Sequence, residues 1–389
     1  MNKSIAIIGI GNCGCQIANL AFKKYPELFD VIYINSSEAD LAMVNDEDAM
    51  KFKIGNRDEI EGSGKNRAKM KEYLKKDINK ILGNEGLQEC ILDKKYCFVA
   101  SSAAGGTGSG AAPIMLELLR QLFPDTIFIL IGVLPQLGAS LMEQGNALEF
   151  LNELYELLGD STTYMIYDNQ TVADLPPTKA LEVVNENIVE DLRVLSGVCN
   201  YPTPYESIDS ADMESIISTP GRLLVVRLTS GLTEKVMEDN NLDDMIVKAI
   251  KKSCHSETDR NKKVVRWGII TYFTNEVNTL YVPTLNGVIN FLGTPVERFN
   301  HNAINTGKEQ FNFLHMIASG LSPINDRVTR ITERIDELKA ALANDETNRY
   351  ILSGDGASYS TMEARKKADR RARQSSEIDP KSIINKFMQ

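Results

Sequence analysis

The stretch Ala104-Gly105-Gly106-Thr107-Gly108-Ser109-Gly110 constrains this chain more than any other. Four glycines in seven residues weaken any helix or strand interior, so the segment reads as a built turn. It follows a short apolar run, Cys97 to Ala100, and leads into a helical stretch with Pro113 in its first turn. A strand–loop–helix unit of this kind gathers backbone N–H groups into a nest for an anion, and the Thr107 and Ser109 hydroxyls are candidate extra donors. A second loop, Gly9-Ile10-Gly11-Asn12-Cys13-Gly14, follows the run Ile5 to Ile8 and satisfies G-x-G-x-x-G. Two phosphate loops on neighbouring strands suit a nucleoside triphosphate. The Walker pattern is absent, since Gly64-Lys65 is followed by Asn66 and no glycine precedes it at the required spacing. A nicotinamide-binding oxidoreductase would need an acidic residue ending the second strand, where this chain has Asn35-Ser36-Ser37.

Further apolar runs at Val31 to Ile34 and Ile127 to Val133 alternate with helical stretches such as Gln16 to Lys24 and Lys69 to Leu82. That alternation predicts an α/β fold with a parallel sheet and helices on both faces. One long helix is predicted over 178–198, its stripe formed by Ala180, Val183, Val184, Ile188, Leu192 and Leu195. After Pro220-Gly221 come strand-like segments at Leu223 to Leu228, Val264 to Phe273 and Thr279 to Val282. Ser322-Pro323 predicts a helix start, and Val328, Ile331, Ile335, Leu338 and Leu342 follow at helical spacing. The expected organisation is a Rossmann-like nucleotide-binding domain (1–177), a central helix and following loop and helix (178–220), a smaller α+β domain (221–318), an amphipathic helix (319–344) and a flexible basic tail (345–389).

Composition narrows the function classes. The six cysteines are scattered, with no C-x-x-C pair, and there are three histidines, so neither a zinc site nor a disulfide framework is expected. No run approaches the ~20 apolar residues of a membrane helix, and the N-terminal run is too short for a signal peptide. No membrane insertion and a cytoplasmic location are the expectation. The net charge is −10, yet residues 363–389 hold eight Lys/Arg against four Asp/Glu. The body is therefore acidic and unsuited to direct DNA binding, and any attraction to an acidic partner belongs to the tail.

Several motifs together resemble the tubulin/FtsZ superfamily. They are Gly11-Asn12-Cys13-Gly14-Cys15-Gln16-Ile17, Ile34 to Leu41, Gly62-Ser63-Gly64-Lys65-Asn66, Phe98 to Ala100 with Gly105 to Pro113, Glu143-Gln144-Gly145-Asn146-Ala147, Asp168-Asn169, and Asn185. The resemblance implies GTP/GDP as ligand, accompanied by Mg²⁺. It assigns Gly11, Asn12, Cys13, Gln16, Asn35, Gly64, Lys65, Asn66 and the 105–110 loop to the nucleotide, Glu143 to the ribose with Asn146 in the same motif, and Asn169 and Asn185 to guanine. A carboxamide can accept from the guanine N1–H and 2-amino group and donate to O6. Leu181 stands where the family usually stacks an aromatic ring, one turn before Asn185, which implies weaker base affinity.

Ser207-Ile208-Asp209-Ser210-Ala211-Asp212-Met213, ahead of a helix starting near Met213, resembles the family's catalytic loop. There the acidic residues act on the nucleotide of the next subunit, so Asp209 and Asp212 are the catalytic candidates. Ser207 replaces an asparagine. On the residues alone, both aspartates also read as helix caps. The resemblance implies a GTPase activated by head-to-tail polymerisation with itself. The amphipathic helix and basic tail look most like the TubZ group of plasmid and phage tubulins, which implies DNA segregation through a DNA-binding adaptor. An FtsZ-like division protein and a non-hydrolysing GTP-binding scaffold are the other readings.

Overall fold

The computed structural model describes residues 5–44, 49–55, 61–158, 161–197, 208–229, 232, 242–256, 266–274, 280–293, 295–305, 312–344 and 385. Ser207 and all of the 345–389 tail except Asn385 lie outside these residues.

The first half alternates as expected. Strand β1 (Ile5–Ile10) leads directly into helix α1 (Gly11–Lys24), followed by β2 (Phe29–Asn35), α2 (Glu38–Ala42) and β3 (Met50–Lys53). Then come α3 (Arg67–Leu82), α4 (Glu85–Leu92), β4 (Tyr96–Ser102), α5 (Thr107–Leu122), β5 (Ile127–Leu134), α6 (Leu141–Glu153), β6 (Thr163–Asp168) and α7 (Pro177–Gly197). The second half holds α8 (Ser210–Ser218), β7 (Gly221–Leu228), α9 (Leu242–Lys252), β8 (Trp267–Thr274), α10 (Tyr281–Leu292), β9 (Arg298–Asn305), β10 (Phe313–Leu321) and α11 (Asn325–Asn344).

The ten strands among the described residues join one sheet in the order β3-β2-β1-β4-β5-β6-β7-β10-β8-β9. Every pair from β3 to β7 is parallel, whereas β10 runs antiparallel to both β7 and β8. The β6–β7 ladder is only two pairs long, Thr163 with Gly221 and Tyr164 with Arg222. In β1, Ala6, Ile8 and Ile10 face the core under α3, α5 and α6, while Ile5 and Ile7 face the core under α1 and α7. That two-residue alternation is what a strand buried on both faces requires. Helix α7 buries Val184, Ile188, Leu192 and Leu195 of its stripe, and Val183 is half-buried. Each fully buried leucine or isoleucine contributes about 1.5–3 kcal/mol over exposure. A third core lies between the last strands and α9 and α10.

Two expectations are corrected. The segment ending at Val282 is not a strand: helix α10 begins at Tyr281 and buries Thr284, Val288, Phe291 and Leu292. Its helical period emerges only beyond the short apolar run, and Pro283 sits in the first turn, where a missing N–H is tolerated. Ser322-Pro323 does not start α11, which begins at Asn325. Residues 322–324 belong to no helix or strand; Ile324 is buried in the core beside α6, and its carbonyl accepts the first helical bonds from Arg327 and Val328. Among the described residues no helix is long and apolar enough to cross a membrane.

Candidate functional site

Strands β1 and β4 are neighbours, so both glycine loops leave the same carboxyl edge of the sheet. The strand order reverses between them, since β2 and β3 lie on one side and β5 and β6 on the other. Open α/β sheets bind ligands in the crevice at such a switch point. The loops touch. Gly11 has φ +72°, and a β-carbon there would fall 2.8 Å from the Gly108 nitrogen. At Gly106 a β-carbon would meet Ser63 Oγ, the Lys65 carbonyl carbon at 2.7 Å and the Asn66 nitrogen at 2.8 Å. Only glycine lets the 9–14, 62–66 and 104–110 loops approach this closely.

Helices α2, α3, α4, α6 and α8 each carry a side-chain N-cap, from Ser37, Asn66, Asn84, Ser140 and Asp209. Helices α1 and α5 carry none. The first-turn N–H groups of a helix lack intrahelical acceptors, and both helices that start in the glycine loops leave theirs without a side-chain cap, as α10 also does. The positive ends of α1 and α5 open on one crevice, an arrangement whose chemistry suits an anion such as a polyphosphate.

The hydroxyls behave differently from expectation. Thr107 Oγ1 lies 2.7 Å from Ser36 Oγ, and Ser109 Oγ donates back to the Gly105 carbonyl. Both side chains are buried in the first turn of α5 and hold the loop's shape. Asn35 is likewise spent inside the protein: its Oδ1 accepts from the Ser36 nitrogen at 2.8 Å and its Nδ2 donates to Asp40 at 3.1 Å. Asn12 and Gln16 are exposed on α1 and bonded to each other at 3.1 Å, and Cys13 is half-buried beside them. Burial pushes the neighbouring Cys15 thiol up to about 12, so it stays protonated.

Gly64 and Lys65 adopt φ of +57° and +61°, and Lys65 Nζ pairs with Glu143 at 2.7 Å. Asn66 caps α3 by accepting from the Lys69 nitrogen. Glu143 forms a capping box with Ser140 at the start of α6. Partial burial raises its carboxyl, but bonds from Lys65 and Ser140 outweigh this and hold it below the usual carboxylate range. Asn146, one turn on, donates from Nδ2 to the carbonyls of Lys65, Ala104 and Gly105 at 2.9, 3.0 and 3.1 Å. It is the brace between two loops. Beneath it, buried Arg67 donates to the carbonyls of Ser109 and Asn146 and pairs with Glu153 at 2.6 Å. Sequence reasoning missed Arg67, because its partners lie more than 40 residues away and leave no local pattern.

At the other end of the crevice, Asn169 opens a short 3₁₀ turn (Asn169–Val172) after β6. Its Oδ1 is buried and has no hydrogen-bond partner among the described residues. A buried acceptor without a donor is costly unless a ligand supplies one. The guanine N1–H and 2-amino group have that chemistry. Asn185 is buried on α7, and Leu181, one turn earlier, is 44% exposed.

Asp209 and Asp212 form the capping box of α8, which starts at Ser210 rather than near Met213. Asp209 Oδ1 accepts from the nitrogens of Ala211 and Asp212, and these backbone bonds hold its carboxyl below the usual range. Asp212 accepts from the Asp209 nitrogen and faces Arg298 NH1 at 3.3 Å. Arg298, a second residue missed by sequence reasoning, also lies over the Trp267 ring. The α8 N-terminus is tied to the amino edge of the sheet, where Lys95, just before β4, donates to the Ser210 carbonyl and pairs with Glu214. The glycine loop follows the opposite end of that strand, after Ser102. Seven strand residues at ~3.3 Å each separate the two by roughly 20 Å.

Residues 4–176 match the Tubulin/FtsZ family, GTPase domain. The tubulin-like protein CetZ of Pyrococcus abyssi is 26% identical over 247 residues, which cover 63% of this chain and 66% of that protein, just under two thirds of its length. Among solved structures, tail-truncated TubZ of Clostridium botulinum phage c-st superposes with a TM-score of 0.71 at 18% identity, over 87% of this chain and 99% of that one. A GTPγS-bound protofilament of CetZ2 from Haloferax volcanii gives 0.70 at 16%, over 86% and 99%. The fold is thus shared with TubZ and CetZ alike, and by sequence the CetZ match extends over 247 residues against 171 for TubZ of Clostridium botulinum C phage. Residues 4–176, which carry the paired glycine loops on β1 and β4, are thus similar to the GTPase domain of the tubulin/FtsZ family.

Proposed function

We propose that this chain is a GTPase that polymerises head to tail and hydrolyses GTP at the junction between subunits. The observation that carries the proposal is the separation of its two half-sites. The phosphate cradle lies at the carboxyl edge of the sheet, and Asp209 and Asp212 lie at the amino edge. Roughly 20 Å of strand rules out attack within one chain, because a general base must be within hydrogen-bond reach of the water it activates. Stacking a second chain on the first, same way up, brings the α8 face of one to the cradle of the other. Such a contact does not close on itself and extends into a filament.

In this arrangement the uncapped ends of α1 and α5 bind the phosphates, and Asn169 Oδ1 accepts from the guanine edge. Glu143 sits at the ribose, and Asp209 or Asp212 of the next subunit orients the water. Mg²⁺ accompanying the nucleotide would be held with the phosphates at the 105–110 loop and would neutralise their charge. Electron microscopy of negatively stained protein tests this. Filaments with GTP and none without nucleotide are expected, and isolated particles in both conditions would refute it.

A finer reading, segregation of DNA by filament movement through a DNA-binding adaptor, is favoured by the 363–389 tail, which carries net +4 on a body of net −14. Truncation after Met362 is expected to leave polymerisation intact and abolish binding to an acidic partner at low salt, where exposed charges are least screened. A large rise in critical concentration would instead assign the tail to assembly.

A further inference from the structure

The last described helix, α11, reaches back to the nucleotide half of the molecule and packs against α6. From it a buried arginine, Arg327, forks onto Asp168: Nε donates to Oδ2 at 2.7 Å and NH2 to Oδ1 at 3.1 Å. NH2 also donates to the Pro135 carbonyl at 2.5 Å. Asp168 is the residue before Asn169. Its Oδ1 caps the 3₁₀ turn by accepting from the Gln170 nitrogen at 2.9 Å, its carbonyl accepts from Thr171 Oγ1, and its nitrogen donates to the Cys254 carbonyl. The same helix holds the neighbouring segment, since Arg334 donates to the Leu137 carbonyl, and Leu137 in turn donates to Gln170 Oε1 at 2.7 Å. Gln144 of α6 closes the ring by donating to the carbonyls of Gln136 and Leu137. The orphan acceptor Asn169 Oδ1 thus sits in a turn tied to α11 through Asp168 and Leu137, with one further anchor from Asp168 to Cys254.

We propose that Arg327 is a positioning residue that sets base selectivity, by fixing through Asp168 the orientation in which Asn169 meets guanine. A planar guanidinium on a carboxylate fixes two bonds in one plane, which a lysine ammonium cannot. Both partners are almost fully buried, so the turn has one orientation, and α11 links the C-terminal part of the chain to the base end of the nucleotide pocket. The inference rests on the reading of the crevice as a GTP site.

The test compares GTP with ITP, whose base lacks the 2-amino donor, in equilibrium binding at protein concentrations too low for assembly. The full chain should prefer GTP. In Arg327→Lys the preference should fall about fivefold or more, the worth of one hydrogen bond, while ITP affinity stays within about twofold. Should that variant fail to fold, Arg327→Met combined with Asp168→Asn removes both buried charges together and keeps a capping oxygen, with the same shift expected. An unchanged preference in a folded variant overturns the proposal, as does equal weakening of both nucleotides, which marks general damage to the pocket. Failure of the unaltered chain to bind GTP would instead refute the nucleotide-site reading beneath it.

Discussion

Asn146 gives the sharpest handle on how the two glycine loops are held together. Its amide nitrogen serves three carbonyls, those of Lys65, Ala104 and Gly105, at 2.9–3.1 Å, and the residue is 8% exposed. Asn146→Ala removes the two N–H donors and leaves buried carbonyls unpaired. At about 1 kcal/mol net per bond, plus desolvation of an orphaned acceptor, the loss is about 2–3 kcal/mol. Part will appear as lost stability and part as weaker nucleotide binding, because two of the carbonyls belong to the loop that forms the cradle. If all of it appeared in binding, the loss of affinity would be roughly 30- to 150-fold, which is the upper limit. Asn146→Asp places a carboxylate oxygen against the same three carbonyls and should be worse than alanine. Urea unfolding with and without GTP, together with nucleotide binding, gives the order Asn, Ala, Asp. An aspartate variant as stable as the alanine variant, with unchanged GTP affinity, would refute the brace.

Asp209→Ala and, separately, Asp212→Ala should slow GTP hydrolysis by ~10²-fold or more and leave nucleotide binding unchanged, the effect of removing a general base; loss of GTP binding in either would mean the residue faces the wrong subunit's site. Stability should fall as pH drops from about 6.5 towards 4. Half-buried His315 is lowered to about 4, first by desolvation and then by the positive charges of Arg193 and Arg227. Between those values the unfolded chain binds a proton that the folded chain refuses, so stability is complete above about 6.5 and declines below it, by at most about 3 kcal/mol. His315→Gln should flatten that part of the curve in chemical denaturation at stepped pH, and an unaltered slope would assign it elsewhere.

The cradle was legible because its signals are local. Apolar runs end in glycines, and helices start where those glycines lie, so the loops on β1 and β4 could be read in order from the chain. Strand β3, with the alternating sequence Met50-Lys51-Phe52-Lys53 and no fully buried residue, is held at the sheet edge by pairing with β2 and leaves little trace in composition. The helical face of α10 does not show in Thr279 to Val282 alone, since Val288 and Phe291 complete it. The inward turn of the Thr107 and Ser109 hydroxyls depends on Ser36 and on the loop's own backbone, contacts that no spacing reveals. Arg67, Arg298 and Arg327 read as ordinary charged residues on helices or a strand until their partners, 42 to 159 positions away in the case of Arg67–Ser109 and Arg327–Asp168, are known. Long-range ionic pairing is decided by packing, and packing is what a local pattern omits.

The central claim, that the site is completed by a second copy of the chain, is tested most directly by phosphate release from GTP measured across protein concentration. If Asp209 and Asp212 act on the cradle of a neighbour, turnover per molecule should be near zero when dilute and rise steeply above a threshold concentration. Turnover per molecule that stays constant through the range in which filaments form would contradict it.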